Sequence, residues 1–359
     1  MESMNMPLKY QLYDDTLRFY NALQSDINAA KSYIYLEFYK FGNDSVGKLF
    51  RDLLAKKARE GVEVKVLLDS WGTSLSDSFF ASLIQFGGEV RYFEKIRFNL
   101  DFLTRSHCRN HRKIVAIDDK VSYIGSANIT DYNLVWRELC LRIEGGIAGS
   151  FKKIFLQMYE VHNKYVLFKA LHTEPIFFGQ LEILRDFPSM SRQNIKKRFT
   201  KLIKSAKKKI VIESPYFLPS FLVRMALIRA AKRGVKVIVI MPKHSDVRLV
   251  DVLRNKYLGP LAERGIEFFM YFPQNLHAKL LLIDDKVFAV GSPNFDYRSF
   301  RFQHEIVLTG PDINLSNKLK AHVKETLNDS EPFNYQRWKT RPFIEKVFEW
   351  IIVPFRHLL

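Results

Sequence analysis

An α/β chain made of two copies of one sheet-and-helix unit is what these 359 residues predict. Three observations carry the prediction. Runs rich in Val and Ile, with no polar face, alternate with stretches of helical period, as strands covered by helices on both sides require. Three segments recur in the same order in the two halves, which marks a duplicated unit. Finally, 47% hydrophobic and 14% aromatic residues supply apolar material for two domains of ordinary size.

The first repeated segment, INAAKSYIYLE at Ile27–Glu37, returns as IKSAKKKIVIE at Ile203–Glu213, 176 residues on. Each reads as the end of an amphipathic helix passing into a strand. The second, EGVEVKVLLD at Glu60–Asp69, returns as RGVKVIVIMP at Arg233–Pro242, a helix stopped at glycine and followed by a strand apolar on both faces. The third, HRKIVAIDDKVSYIGSAN at His111–Asn128, returns as HAKLLLIDDKVFAVGSPN at His277–Asn294, 166 residues on. Offsets that drift by a few residues are loop-length differences between the copies. The junction is placed near Lys169–Phe177, after the amphipathic stretch Ile147–Phe168, which gives domains 1–170 and 171–359. Two copies facing each other across a pseudo-twofold axis would bring the histidine segments into one cleft.

Both copies fill the pattern H-x-K-x4-D-x6-G-S-x-N, with His111, Lys113, Asp118, Gly125, Ser126 and Asn128 in the first. His277, Lys279, Asp284, Gly291, Ser292 and Asn294 fill it in the second. A strand alternates its faces, so each histidine shares a face with its lysine. The Asp-Asp-Lys that follows reads as a turn, and the small Gly-Ser-x-Asn residues let backbone and amide approach a ligand. Two imidazoles, two ammonium groups and two carboxamides suit a phosphodiester transition state. One histidine attacks phosphorus, the other protonates the departing alkoxide, and Lys113, Lys279, Ser126, Asn128, Ser292 and Asn294 receive the phosphate oxygens. The lysines do what a metal would otherwise do, so neither metal nor cofactor is expected. A single H-x-K would read as a packing feature. Six matched polar positions in strands of Ile, Val and Leu do not, because buried ammonium groups need a compensating anion. Asp118 and Asp284 lie an odd number of residues from their histidines and read as readily as turn or salt-bridge residues as catalytic ones.

Lys and Arg number 56 against 38 for Asp and Glu, a net charge of +18, which fits an anionic partner, nucleic acid or an acidic membrane. Two cysteines, Cys108 and Cys140, exclude a disulfide scaffold and match no zinc cluster; Cys108 reads as incidental. The first dozen residues lack the zones of a signal peptide, and no apolar run reaches the ~18 residues of a spanning helix. Ser191–Ile210 sets Ile195, Phe199, Leu202 and Ala206 opposite Lys197, Lys201, Lys204 and Lys208, a solvated helix face or a membrane-docking stripe. Arg341–Leu359 is a second amphipathic stretch, docked on the membrane or on the domain, with Pro354 breaking it. Lys95–Arg105 reads as a lid, an acyl-chain contact or a plain loop, and Tyr216 and Phe217 as cleft-lining or packing residues.

On these motifs the chain resembles the phospholipase D superfamily, whose signature is the duplicated HKD motif. Its flanks resemble bacterial cardiolipin synthases in GSANITDYNLVWRELCLRIEGG (Gly125–Gly146), ESPYFLPS (Glu213–Ser220), ALIRAAKRGVKV (Ala226–Val237) and GSPNFDYRSFRFQHEIVL (Gly291–Leu308). The resemblance runs from about Leu23 to Pro354. It implies two α/β/α sandwich domains sharing one active site, with Glu138 and Glu305 orienting the imidazoles. It makes His111 the nucleophile and His277 the general acid, then base. The implied reaction joins two phosphatidylglycerol molecules into cardiolipin and glycerol through a phosphatidyl-histidine intermediate. Phospholipid hydrolysis shares this chemistry, and a nucleic-acid phosphodiesterase is the alternative from another class. The flanks favour the lipid branch, so no nucleic acid is expected as a partner. Cardiolipin synthases commonly begin with spanning segments that this chain does not show. It is therefore expected to sit peripherally on an anionic membrane, at the cytoplasmic face of a bacterial inner membrane.

Overall fold

The structure, a computed structural model, describes residues 8–94, 108–162, 174–189 and 191–353. The segment Lys95–Arg105, residues 163–173 of the expected junction, and Pro354 onward lie outside the described residues. The first half supplies β1 (Lys9–Asp15), β2 (Tyr33–Phe38), β3 (Glu63–Asp69), β4 (Glu89–Phe93), β5 (Arg109–Asn110), β6 (Ile114–Ile117), β7 (Val121–Gly125) and β8 (Arg137–Glu144). Its helices are α1 (Thr16–Ala29), α2 (Ser45–Arg59), α3 (Ala81–Gln85) and α4 (Ala148–Val161). Asp15 and Asp44 start α1 and α2 by accepting from the N–H groups of Arg18 and Gly47 at 2.9 and 2.8 Å, the usual aspartate cap.

The second half supplies β9 (Ile176–Phe178), β10 (Leu181–Asp186), β11 (Lys209–Glu213), β12 (Lys236–Pro242), β13 (Ile266–Tyr271), β14 (Leu280–Ile283), β15 (Val287–Gly291), β16 (Gln303–Pro311) and β17 (Ser330–Pro332). Its helices are α5 (Asn194–Ser205), α6 (Phe221–Lys232), α7 (Arg248–Ala262), α8 (Tyr297–Phe302), α9 (Ile313–Asn328), α10 (Tyr335–Lys339) and α11 (Phe343–Ile352).

The duplication holds strand by strand. The first sheet runs β1-β8-β7-β6-β2-β3-β4, and the second repeats that order as β10-β16-β15-β14-β11-β12-β13, with β9 and β17 added at its ends. In each, three parallel strands adjoin an antiparallel block through one antiparallel pair, β2 with β6 and β11 with β14. Alternation along the strands then sorts side chains into three layers. Ile34, Leu36, Val64 and Val66 pack outward with the α1 and α2 residues, and Ile210, Ile212, Val237 and Val239 outward with those of α5, α6 and α7. The intervening residues turn inward into one core common to both halves, where Tyr35, Phe151 and Phe155 meet the cluster of Val211, Ile240 and Leu319.

The backbone also crosses the junction. β5, just before His111, pairs in parallel with the start of β16, and Arg137 at the start of β8 bridges in parallel to Leu276, just before His277. The inner core and these two crossings leave each half with apolar side chains buried in part against the other, at about 1.5–3 kcal/mol for each large buried side chain. A chain ending near residue 170 is therefore expected to be insoluble or to pair with itself. Size-exclusion chromatography with light scattering checks this, and a folded monomeric half would contradict it.

Candidate active site

β6 and β14 begin directly after the two histidine motifs, and each runs antiparallel to the strand beside it, β2 or β11. His111 and His277 therefore sit where the parallel strands end, the edge at which open α/β sheets bind ligands. Backbone pairing brings them there: His111 N–H donates to His304 C=O at 3.0 Å and His277 N–H to Arg137 C=O at 2.8 Å. The next residue along the opposing strand is a glutamate in both cases. Glu305 meets His111 Nδ1 at 3.1 Å, and Glu138 meets His277 Nδ1 at 2.9 Å. Each carboxylate thus holds the imidazole of the opposite half. Glu138 lies 10 residues beyond Asn128 and Glu305 11 beyond Asn294; a 3₁₀ turn at Asp131–Val135 stands in the first half where α8 stands in the second. With Nδ1 engaged, Nε2 is the nitrogen each ring offers to a substrate. Tyr39 packs edge-on against His111 and Trp136 at a tilt against His277, each with centroids 5.2 Å apart.

The lysines complete the arrangement. Lys113 Nζ donates to its own His111 C=O at 2.7 Å, and Lys279 Nζ to His277 C=O at 2.8 Å. Burial, then the neighbouring Lys279 charge, pushes Lys113 down to about 7. Burial brings Lys279 to about 8, against the opposing pull of Glu138. A bound phosphodiester anion would reverse these shifts, because the penalty is for ammonium groups lacking an anion. Burial likewise lowers both imidazoles, His111 the further. The carboxylates differ. Burial pushes Glu305 up to about 8. Burial also works on Glu138, but the His277 charge and hydrogen bond outweigh it and hold the acid below its ordinary value.

His111 and His277 open on a cleft of about 290 Å³, lined also by Asn128, Asn294, Tyr132, Tyr216, Asp246 and Arg298. Asn294 Oδ1 is buried with no hydrogen-bond partner among the described residues. Four expectations are corrected. Ser126 and Ser292 do not line the cleft: both are fully buried and accept from the N–H groups of Leu139 and Ile306 at 2.8 and 3.0 Å. Ser292 also donates to Glu305, so these hydroxyls steady the glutamate strands rather than a phosphate. Asp118 and Asp284 lie at the far ends of β6 and β14 from the histidines. Asp118 accepts from the N–H groups of Lys31, Ser32 and Tyr33, and Asp284 from those of Lys207, Lys208 and Lys209. Both hold a left-handed φ of 53°, which marks them as turn anchors. Phe217 packs against Phe268 and Phe295, leaving Tyr216 as the cleft residue of that pair. The Gly-Ser-x-Asn glycines admit the neighbouring strand rather than a ligand: a Cβ at Gly125 or Gly291 would lie 2.5 or 2.1 Å from the C=O of Leu139 or Ile306.

Sequence reasoning missed the charges that brace the motifs. Glu37, fully buried, takes both Arg112 Nε and Nη2 at 2.8 and 2.7 Å, and Asn110 Nδ2 at 2.7 Å. Asp69 accepts from Asn110 N–H at 2.8 Å. In the second half Ala278 stands in place of Arg112, and the matching Glu213 is met by His322 Nε2 at 2.7 Å. Burial alone would lower His322, but Glu213 and Asp14 raise it to about 9. Asp14 also holds Arg137 at 3.1 Å, the residue whose carbonyl receives His277. The available signal was the glutamate closing both copies of the first repeat.

Known proteins match this arrangement. The family described as cardiolipin synthase, PLD-like domain, matches residues 23–168 and 199–327, one match per half. The chain belongs to this family of phospholipase D-like phosphatidyltransferases. The major cardiolipin synthase ClsA of Bacillus subtilis is 33% identical over 346 residues, covering 92% of this chain and 71% of that protein. The cardiolipin synthase of Clostridium perfringens is 31% identical over 357 residues, covering 95% and 75%. The probable cardiolipin synthase YwiE of Bacillus subtilis is 32% identical over 314 residues, and the chain spans 62% of its length. In fold, the phosphatidylserine synthase of Haemophilus influenzae superposes with a TM-score of 0.77 at 14% identity, over 99% of this chain and 96% of that one. Among the described residues no helix is long and apolar enough to cross a membrane.

Replacing Glu138 or Glu305 by Gln should lower turnover roughly 10²–10⁴-fold with KM little changed, as for other histidine-orienting carboxylates. Asp118→Ala should keep turnover within about threefold while losing ~1–2 kcal/mol of stability. Steady-state kinetics and thermal melts check both.

Proposed function

We propose that the cleft joins two phosphatidylglycerol molecules into cardiolipin and glycerol. The observation that carries the reading is the pair of crossed imidazole–carboxylate bonds, which leaves the Nε2 atoms of both histidines to one cleft, while the buried ammonium groups of Lys113 and Lys279 donate to the carbonyls of those same histidines. His111 Nε2 attacks the phosphorus of the first lipid. An N–P bond forms, the bond from phosphorus to the glycerol oxygen breaks, and His277 gives its proton to that oxygen. Glycerol leaves. A glycerol hydroxyl of the second lipid then yields its proton to His277 and attacks the same phosphorus. The N–P bond breaks, cardiolipin forms, and both histidines return to their starting states. Lys113, Lys279, Asn128 and Asn294 receive the non-bridging oxygens. Aromatic walls from Tyr39, Trp71, Tyr132, Trp136 and Tyr216 favour a lipid alcohol over water as the second nucleophile.

Purified protein on phosphatidylglycerol vesicles should yield cardiolipin and free glycerol by mass spectrometry; phosphatidic acid as the main product would mean a hydrolase instead. The roles of the histidines separate on leaving group. His277→Ala should regain turnover on a diester that releases p-nitrophenolate, which departs unprotonated, whereas His111→Ala should not.

The pH dependence has a definite sign. Below about 8 Glu305 keeps its proton and donates it to His111 Nδ1, so the ring's other proton sits on Nε2 and blocks attack. Above about 8 the ionised carboxylate accepts from Nδ1–H and frees Nε2. Glu138, held ionised, imposes no such limb. For a diester that releases p-nitrophenolate, which needs no proton from His277, and with the lysines recharged by the bound phosphodiester, kcat should therefore rise with pH toward about 8, and Glu305→Gln should remove the rise. A flat or falling wild-type profile over that range would move the nucleophile's role to His277.

A further inference from the structure

Six of the large apolar side chains left in solvent lie on the lining of the cleft or close to it in sequence. Trp71, 45% exposed, lines it directly. Leu134 and Val135 stand between the lining residues Tyr132 and Trp136, and Leu249 between Val247 and Val250. Phe221 and Leu222, 62% and 59% exposed, open α6 on the segment that leads away from Tyr216. Three of these four segments follow the C-terminal ends of β3, β11 and β12, and the fourth enters β8, so both halves contribute. Single exposed apolar residues are ordinary, but a group of them on one rim marks an interaction surface. Basic residues are interleaved: Lys40 lines the cleft, and Arg224 and Arg248 lie on α6 and α7 beside Leu222 and Leu249.

We infer that this rim, Trp71, Leu134, Val135, Phe221, Leu222 and Leu249, docks on an anionic lipid bilayer and seats the mouth of the cleft against it. The inference rests on the lipid substrate proposed above. For a head-group phosphorus to reach His111 and His277 while its acyl chains stay in hydrocarbon, the mouth has to face the membrane. Apolar side chains of this size enter the boundary between head groups and chains, with basic side chains at the level of the phosphates. The two stretches that the sequence offered for docking are placed less well. α5 buries Ile195, Phe199 and Leu202 in the outer core, and Ala206 just past its end follows them. Its lysine face leads into the start of β11, the sheet edge opposite the cleft. α11 packs on α7, with Arg341 paired in two hydrogen bonds to Glu349 at 2.9 Å, and its exposed Phe343, Ile344 and Ile351 are not among the residues lining the cleft.

The test uses the full chain and vesicles of equal parts phosphatidylglycerol and phosphatidylcholine, in cosedimentation at about 0.5 M salt, where exposed charge attraction is screened. Two variants change the rim, Phe221→Ser with Leu222→Ser and Val135→Ser with Leu249→Ser; the comparator is Lys204→Ser with Lys208→Ser. The rim variants should bind about tenfold or more weakly and lose vesicle turnover in proportion. Their turnover of short-chain phosphatidylglycerol below its micelle concentration should stay within about twofold, and the comparator should bind as wild type at this salt. Rim variants that bind normally, or a wild-type chain that proves dimeric and turns monomeric on the rim substitutions, would overturn the inference. Hydrogen exchange on the wild-type chain needs no variant: vesicles should protect residues 131–136, 219–224 and 246–250, and protection confined to 194–205 would contradict it. Wild-type protein that docks through the rim yet turns over no phosphatidylglycerol would retire the lipid-transfer reading and leave the docking surface standing.

Discussion

A buried carboxylate reaching across the junction to hold the other half's imidazole is the contact on which the remaining architecture depends. Neither half can orient its own histidine: the glutamate that follows each motif serves the motif of its partner. Glu138 and Glu305 can do this only because the strands carrying them start beside the opposing histidine backbones, and those starts are fixed by the cross-junction pairings at Asn110–His304 and Leu276–Arg137. The shared inner core and the site are in this sense one construction. Loosening the packing of Phe151, Phe155 or Leu319 would disturb the register that delivers the carboxylates.

Burying so much charge imposes a second constraint, met differently in the two halves. Glu37 and Glu213 occupy matching strand ends and both are fully buried. The first is neutralised by the bidentate Arg112 beside His111, the second by His322 from α9, which in turn ties in Asp14 and Arg137. An unpaired carboxylate in either place would cost several kcal/mol. The two active-site lysines have no carboxylate paired with them among the described residues. Lys113 and Lys279 lean on backbone carbonyls and sit below their normal basicity, a deficit that a bound phosphodiester would relieve.

Much of this was legible in the residues. The doubled sheet order follows from apolar strands recurring in sequence, and the paired histidines and lysines from a motif whose period-two spacing puts them on one face. The same parity turned Asp118 and Asp284 away from the histidines, where the structure finds them. What could not be read was anything set by register between the halves. Glu138 stands nearest its own motif in sequence, and nothing in the spacing says that it serves His277. Ser126 and Ser292 were misplaced because small residues before an Asn suggest ligand approach, whereas their hydroxyls turn back to the neighbouring strand. Glu37 and Glu213 passed unnoticed because a charge at the end of a strand reads as solvent-exposed, and their partners lie 75 and 109 residues away.

The crossed pairing is open to direct observation in the intact chain by nitrogen NMR of ¹⁵N-labelled histidine side chains, with His111 and His277 assigned by substitution. The account predicts that Glu138→Gln shifts the Nδ1 resonance of His277 and leaves that of His111 in place, and that Glu305→Gln does the reverse. Each substitution perturbing instead the histidine of its own half would contradict it.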